Sequence, residues 1–326
     1  MKNVLLMGNG MNRAYRSEAF SWQKLLEDMT TVKNLPEHKN LPFPLEVVLR
    51  TNDQVDKALV QFSGQMYGSV ESDKMRCVLA ELLKLGFDEI LTTNYDYTLE
   101  GTAIYPKKVT NAWLKKTMQH TNEVAKAESA YLLHTYQSVE FEGVPNRIWH
   151  IHGEARKPSS IVIGHYMYVN LVSKWREKLK ERADKYKTWD YEKESACWLD
   201  SFVLGNVYIL GLGMDFSELD LWWLLNRKKR EKAEHGKVIF YDPEKPGDEA
   251  KYALLRAYGV EIRHLGFKLL PYADKMPCDD DLQEEEDLKE QKVQEYNAGI
   301  YADFYGDAIE DIKKELKQSS LIVSIS

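Results

Sequence analysis

An amide, a carboxylate and two imidazoles stand in two short segments, Leu91-Thr92-Thr93-Asn94-Tyr95-Asp96 and Trp149-His150-Ile151-His152-Gly153. Each begins apolar and ends polar, the pattern of a strand giving way to a loop. In open α/β sheets, ligands bind just beyond the carboxyl ends of the strands. Delivered to one crevice, these groups could grip a ribose and move a proton. A base acting on a ribose hydroxyl needs one imidazole with a pKa near neutrality, and His152, beside the flexible Gly153, is the better placed. Asn94 and Asp96 alternate with Thr93, Tyr95 and Tyr97, so they can share a face; capping the next helix is an equally ready use for both. His150 and His152 share a face if their strand continues. Zinc needs a third ligand and His165 is distant, so no metal is expected.

Two glycine turns complete the set. Gly8-Asn9-Gly10-Met11-Asn12-Arg13 follows the first apolar run. Glycine there lets the backbone approach a pyrophosphate, with amides aimed at its oxygens, and Arg13 adds a cation; a plain tight turn is the alternative. Gly211-Leu212-Gly213-Met214-Asp215-Phe216-Ser217 follows another run. Ser217 and Asp220 have the spacing of a variant capping box, opening a helix with Leu219, Trp222, Trp223 and Leu225 on its apolar side. Arg227 to Arg230 put positive charge where the helix dipole favours it. The tryptophan pair reads as core or subunit contact rather than a platform for a base. Strand, turn and helix start again offer a phosphate or ribose site. Position 13 is not a third glycine, and no acidic residue ends a second strand about 20 residues on, which argues against a Rossmann-type dehydrogenase.

Strands must hold these groups in place. Short, mostly apolar runs fall at Asn3 to Met7, Asp88 to Thr92, Arg147 to Ile151, Ser160 to Ile163, Asn206 to Leu210, Lys237 to Tyr241 and Val260 to Leu265. Such runs suit strands buried on both faces of a parallel sheet. Glu261, Arg263 and His264 break the last run, marking an edge strand, and the stretch from Arg147 to Ile163 could instead be a hairpin. Helical segments, including Cys77 to Leu85 and Asp248 to Tyr258, alternate with the strands. The expected class is α/β: a Rossmann-like, doubly wound, mostly parallel sheet. Residues 11–85 and 165–203 read as helical insertions forming a lobe over the cleft. Residues 1–270 then make one domain, and 271–326 an acidic connector, solvated around Asp279 to Asp287, with a terminal helix near Ala308 to Leu316.

At 326 residues and 44% hydrophobic, the chain can bury a substantial core. Its net charge of −7 argues against a main role in coating nucleic acid. Cys77, Cys197 and Cys278 form no Cys-x-x-Cys pair, so neither a disulfide framework nor a four-cysteine zinc site is expected. No signal peptide or membrane-length run stands out, and a soluble cytoplasmic protein is expected.

Taken in order, these motifs resemble those of the sirtuin family, and more closely its bacterial antiphage-defence branch lacking the zinc module. The matching pieces are Gly8 to Gly10, Thr92-Thr93-Asn94-Tyr95-Asp96, His152-Gly153 and Gly211 to Gly213, spanning residues 1 to about 265. The resemblance implies NAD as substrate and no metal. Asn94 would sit near the nicotinamide ribose and position the attacking water or polarise the site, Asp96 would hold the nicotinamide carboxamide or its ribose, and His152 would act as base on a ribose hydroxyl. Gly8, Asn9, Gly10 and Arg13 would cradle the pyrophosphate; Gly211, Gly213 and Asp242 would line the adenosine side, and Thr93 would also bind the cofactor. The missing cysteines put acyl-lysine binding in doubt and favour cleavage by water, hence an NAD glycohydrolase. The resemblance also implies a regulated defence effector, as a homo-oligomer or with a separate sensor such as a HerA-type ATPase. The rival expectations are an NAD or ADP-ribose-binding regulatory module without turnover, and a protein deacylase or ADP-ribosyl transferase.

Overall fold

Strands that are apolar on both sides need cover on both sides, and helices flanking the sheet provide it. The computed structural model describes residues 1–15, 22–36, 41–68, 72–104, 110–117, 122–123, 131–185, 197–271 and 280–323. In chain order, β1 (Asn3–Met7) precedes α1 (Gly10–Tyr15), α2 (Trp22–Met29), α3 (Phe43–Thr51), α4 (Val55–Phe62) and α5 (Asp73–Lys84). Then come β2 (Glu89–Thr92), α6 (Thr98–Ile104), α7 (Asn111–Thr117), β3 (Asn122–Glu123), α8 (Tyr131–His134), β4 (Tyr136–Phe141) and β5 (Val144–His150). The remainder is α9 (His165–Lys185), α10 (Trp198–Leu204), β6 (Asn206–Leu210), α11 (Leu219–Lys229), β7 (Val238–Tyr241), α12 (Glu249–Ala257), β8 (Val260–Arg263) and α13 (Asp280–Val323).

The sheet runs β3-β4-β5-β2-β1-β6-β7-β8. From β5 to β8 every pairing is parallel. Numbered among themselves, these six strands lie in the order 3-2-1-4-5-6, the doubly wound order whose switch point falls between the first and fourth. Here that is the crevice between β1 and β6. β8 is the edge strand, as its broken apolar pattern implied. Its Arg263 is used against α13, where it pairs with Asp311 and Glu315.

Successive residues of β1 point to opposite faces. Val4 and Leu6 join Trp149, Val207, Ile209 and Phe240 beneath α9 to α12. Leu5 and Met7 join Ile90, Ile148, Tyr208 and Ile239 beneath α1, α5, α6 and α13. On α13, Phe304, Tyr305, Ala308, Ile309 and Ile312 form a helical stripe buried in this second layer. Each large side chain so buried is worth about 1.5–3 kcal/mol before the entropy of ordering it.

Four expectations change. Ser160 to Ile163 is not a strand: a single 3-10 turn at Pro158–Ser160 leads into loop. The hairpin lies in front of β5 instead, where β4 pairs with it antiparallel across Glu142 and Gly143, both at positive φ (49° and 82°). The insertions divide. Helices α2 to α4 pack Leu25, Leu26, Met29, Val47 and Leu59 against Tyr95, Tyr97, Ile161 and Ile163, making a lobe on the loops after β2 and β5. By contrast, α9 and α10 belong to a sheet layer, through Tyr168, Leu171, Trp175, Trp198 and Phe202. Finally, α13 begins at Asp280, so the acidic run from there is part of the terminal helix rather than a connector before it; Cys278 and Asp279 lie outside the described residues. Among the described residues no helix is long and apolar enough to cross a membrane.

Candidate active site

The two glycine turns meet at the switch point. Gly8 N donates to Leu210 O at 3.1 Å and Gly10 N to Gly211 O at 2.7 Å. A Cβ on Gly8 would stand 2.6 Å from Gly211 O, and one on Gly10 would stand 2.7 Å from the same oxygen and 2.5 Å from the Tyr305 hydroxyl. Packing of one turn on the other therefore demands glycine at positions 8 and 10, and takes up their amides. Gly213 differs, with nothing within 4 Å of a Cβ. Asn9 is half-buried and Arg13 exposed.

At the end of β2, Thr93 N donates to Met7 O at 3.1 Å. Asn94 N donates to the Thr92 hydroxyl at 3.0 Å, and its side-chain Nδ2 crosses to Gly8 O at 3.3 Å. Asp96 takes the capping role instead. One oxygen accepts from Thr98 N at 3.0 Å and Thr98 Oγ1 at 2.6 Å, starting α6, and the other accepts from Asn12 Nδ2 at 2.8 Å. The buried Asn12 thereby ties α1 to this loop, a role its position in the first turn did not announce.

The histidines part company because β5 ends at His150. His150 Nδ1 lies 2.7 Å from Asn94 O and Nε2 lies 2.9 Å from Glu100 Oε1, with the Tyr97 ring set edge-on at 5.3 Å. Burial opposes a charge on this ring, but Glu100 outweighs it and raises the pKa to about 9. His152 Nε2 lies 2.6 Å from Asp220 Oδ2, while its buried Nδ1 has no hydrogen-bond partner. Burial again opposes the charged ring; Asp220 and then Glu218 prevail and the pKa rises.

Asp220 is therefore not a capping residue. The N-cap position of α11 is Glu218, which makes no side-chain cap, and Ser217 N donates to Asp215 Oδ1 at 2.8 Å. Glu218 Oε2 accepts from Asp215 N at 3.0 Å. Burial pushes the Glu218 carboxyl up to about 7, His152 pulling against it and Asp220 adding to it. A phosphate here would face carboxylates, so this turn suits ribose hydroxyls better. Trp222 is buried and Trp223 packs against the same core, which settles the pair as core residues.

One strand further on, Asp242 is buried beyond β7 with Lys251 Nζ at 3.8 Å and the Tyr301 hydroxyl at 3.4 Å. Burial raises its carboxyl to about 7 against the pull of Lys251. Lys251 Nζ also donates to Gly213 O at 3.1 Å, joining two of the three expected adenosine-side residues.

Hydrogen bonds stitch these loops together. Ile151 N donates to Thr92 O (3.0 Å), Ala155 N to Tyr95 O (3.0 Å) and Val162 N to His152 O (2.8 Å). The Tyr95 hydroxyl reaches Val162 O at 2.9 Å. Below them, buried Glu154 accepts from Tyr97 Oη at 2.6 Å and Gln137 Nε2 at 3.2 Å, and also from Tyr131. Asn94, Asp96, His152 and both glycine turns thus occupy the carboxyl edge of four neighbouring strands, β5-β2-β1-β6. Among the described residues no group of three or more His, Cys, Asp or Glu side chains is placed to hold a metal ion.

No curated protein matches the chain. Residues 88–262 match the SIR2-like domain family, a span of more than half the chain that runs from β2 into β8 and takes in Asn94, Asp96, His152, Asp220 and Asp242. Together with the doubly wound sheet and its polar carboxyl edge, this places the chain in the SIR2-like family, as a sirtuin-like NAD-dependent enzyme.

Proposed function

We propose that the chain is an NAD glycohydrolase that cleaves the nicotinamide–ribose bond with water, releasing nicotinamide and ADP-ribose. One observation carries the reading: with Asp220 on Nε2, His152 keeps a buried Nδ1 without a partner. A carboxylate on one ring nitrogen makes the other a better base. A ribose hydroxyl is the group such a nitrogen would engage in a sirtuin-like site.

The reaction is balanced simply. The bond from C1′ to the nicotinamide nitrogen breaks, its electron pair returns to the ring, and nicotinamide leaves neutral. A bond forms from the water oxygen to C1′, and the extra proton passes to a base. Asn94 places the water, and His152 draws on the ribose hydroxyl, steadying the oxocarbenium-like state. Asp96, already holding Asn12 and the start of α6, orients the loop around the nicotinamide end. Gly8, Asn9, Gly10, Thr93 and Arg13 border the pyrophosphate; Gly211, Gly213 and Asp242 border the adenosine. With only three cysteines, the chain cannot form a four-cysteine module, which favours water over an acyl-lysine acceptor. The biological role proposed is NAD depletion in antiphage defence, in the cytoplasm, held in check by self-assembly or a separate sensor such as a HerA-type ATPase.

The test incubates purified protein with NAD, with and without candidate partners, and follows nicotinamide and ADP-ribose. Stoichiometric release of both supports the reading. Nicotinamide release with ADP-ribose retained on protein, or with an acyl-ADP-ribose product, would replace it with transfer or deacylation. Tight NAD binding without turnover under all conditions would replace it with a regulatory module.

A further inference from the structure

His150 has no part in the reaction above, yet both of its ring nitrogens are bonded inside the protein. We propose that Glu100 keeps His150 doubly protonated, so that its Nδ1–H pins the backbone carbonyl of Asn94, making His150 and Glu100 positioning residues for the Asn94 amide. The proposal rests on reading Asn94 as part of the NAD site.

With Glu100 as a carboxylate, the geometry admits one protonation state of the ring. Asn94 O can only accept, so at 2.7 Å Nδ1 must carry a proton. A neutral ring protonated there would turn the Nε2 lone pair towards the Glu100 carboxylate at 2.9 Å. Only the imidazolium donates to both neighbours. The other groups facing the ring fit this. Glu154, in the loop after β5, adds negative potential and is itself flanked by Arg156 at 3.6 Å. Tyr97 contributes a ring edge, its hydroxyl turned to Glu154.

The consequence falls on Asn94. Its N–H is held by the Thr92 hydroxyl and its carbonyl by His150, so the peptide is anchored on both sides of the side chain that reaches Gly8 O. Small misplacements of a reacting group cost rate steeply, and this clamp removes the freedom for them.

Glu100→Gln tests it, because it keeps shape but removes the counter-charge. The ring then falls to an ordinary pKa of about 6.5 or below, and at neutral pH its one remaining proton stays on Nδ1, so the bond to Asn94 O drops from a charge-assisted one to a neutral one. NAD turnover relative to the unmutated protein should drop a few-fold between pH 5.5 and 7.5, as that bond loses its charge assistance, with the melting temperature held across the same range as a control. His150→Asn combined with Glu100→Gln puts a non-titrating donor near the Nδ1 position, and should hold turnover at the neutral-ring level and abolish its pH dependence. Nitrogen NMR of labelled imidazoles in the free protein should show His150 doubly protonated at pH 7.5, and singly protonated in Glu100→Gln. A singly protonated His150 in the unmutated protein, or a Glu100→Gln profile parallel to the unmutated one, overturns the clamp. If no form cleaves NAD, the glycohydrolase reading fails, and the nitrogen spectra still decide the clamp.

Discussion

The Nε2 of His152 stands 2.6 Å from the Oδ2 of Asp220, both side chains enclosed by protein. The partners lie 68 residues apart, one just past β5 and the other in the first turn of α11, and they join across the switch point. The carboxylate fixes the ring orientation and leaves Nδ1 without a partner, the nitrogen that the proposed reaction would use. Asp220→Asn keeps the shape but removes the charge and can donate to Nε2, forcing the proton onto Nδ1. As when a triad carboxylate is replaced by its amide, nicotinamide release should fall roughly a thousandfold or more. Activity near that of the unmutated protein, with an unchanged melting curve, would show that the pair is structural only.

Asn94→Ala and His152→Ala should both abolish NAD loss, but they should differ in stability. Asn94 gives up one long side-chain hydrogen bond of 3.3 Å to Gly8 O, worth about 1 kcal/mol or less. His152→Ala strands Asp220 as a buried charge, at a cost of about 3–5 kcal/mol. Urea unfolding beside nicotinamide release measures both quantities. Normal turnover in Asn94→Ala would remove this residue from the site.

Most of this edge was legible in the sequence, because strand ends declare themselves where apolar runs stop. β1 and β6 have the bounds their composition implied, and the Asn94 and His152 segments fall at the ends of paired strands. What escaped were partners fixed only in three dimensions. Ser217-x-x-Asp220 has capping spacing, and nothing local says that His152 claims the carboxylate. Glu100 reads as one acid in the first turn of a helix, although it is buried against His150. Gly8 and Gly10 looked like a phosphate cradle, yet the close approach is to Gly211. β4 was missed because its alternation of buried and exposed residues marks an antiparallel, one-sided strand, unlike the apolar runs around it. The helical start of α13 was hidden by its acid-rich composition.

Glu218 gives a stability signature whose sign can be worked out. Its carboxyl is raised to about 7 by burial, with His152 opposing and Asp220 reinforcing, whereas unfolded it would titrate near about 4.3. Between those values the native state holds the extra proton, so this group's contribution to stability falls as pH rises from about 4.3 through 7. Glu218→Gln abolishes that loss while keeping an acceptor for Asp215 N. The variant should match the unmutated protein near pH 4 and exceed it by about 1–2 kcal/mol at pH 8, a figure discounted for the side chain's partial exposure. Parallel stability curves across that range would mean that Glu218 titrates as an ordinary surface carboxyl.

The glycines separate folding from ligand approach. Gly8→Ala would push a methyl to 2.6 Å from Gly211 O and 2.8 Å from Leu212 Cα, both backbone atoms that cannot swing aside. It should cost about 1–3 kcal/mol, as overpacking does, and lower NAD turnover by displacing the β1 turn from the β6 turn. Gly213→Ala meets nothing within 4 Å, so the fold should tolerate it, or gain a few tenths of a kcal/mol from a stiffer unfolded chain. If Gly213 borders the adenosine side, that methyl enters space the nucleotide needs, and KM for NAD should rise about tenfold with kcat little changed. Melting temperature and KM, measured on the two variants side by side, check the division of roles. An unchanged KM in Gly213→Ala would move the adenosine away from this turn and towards the β1 side of the crevice.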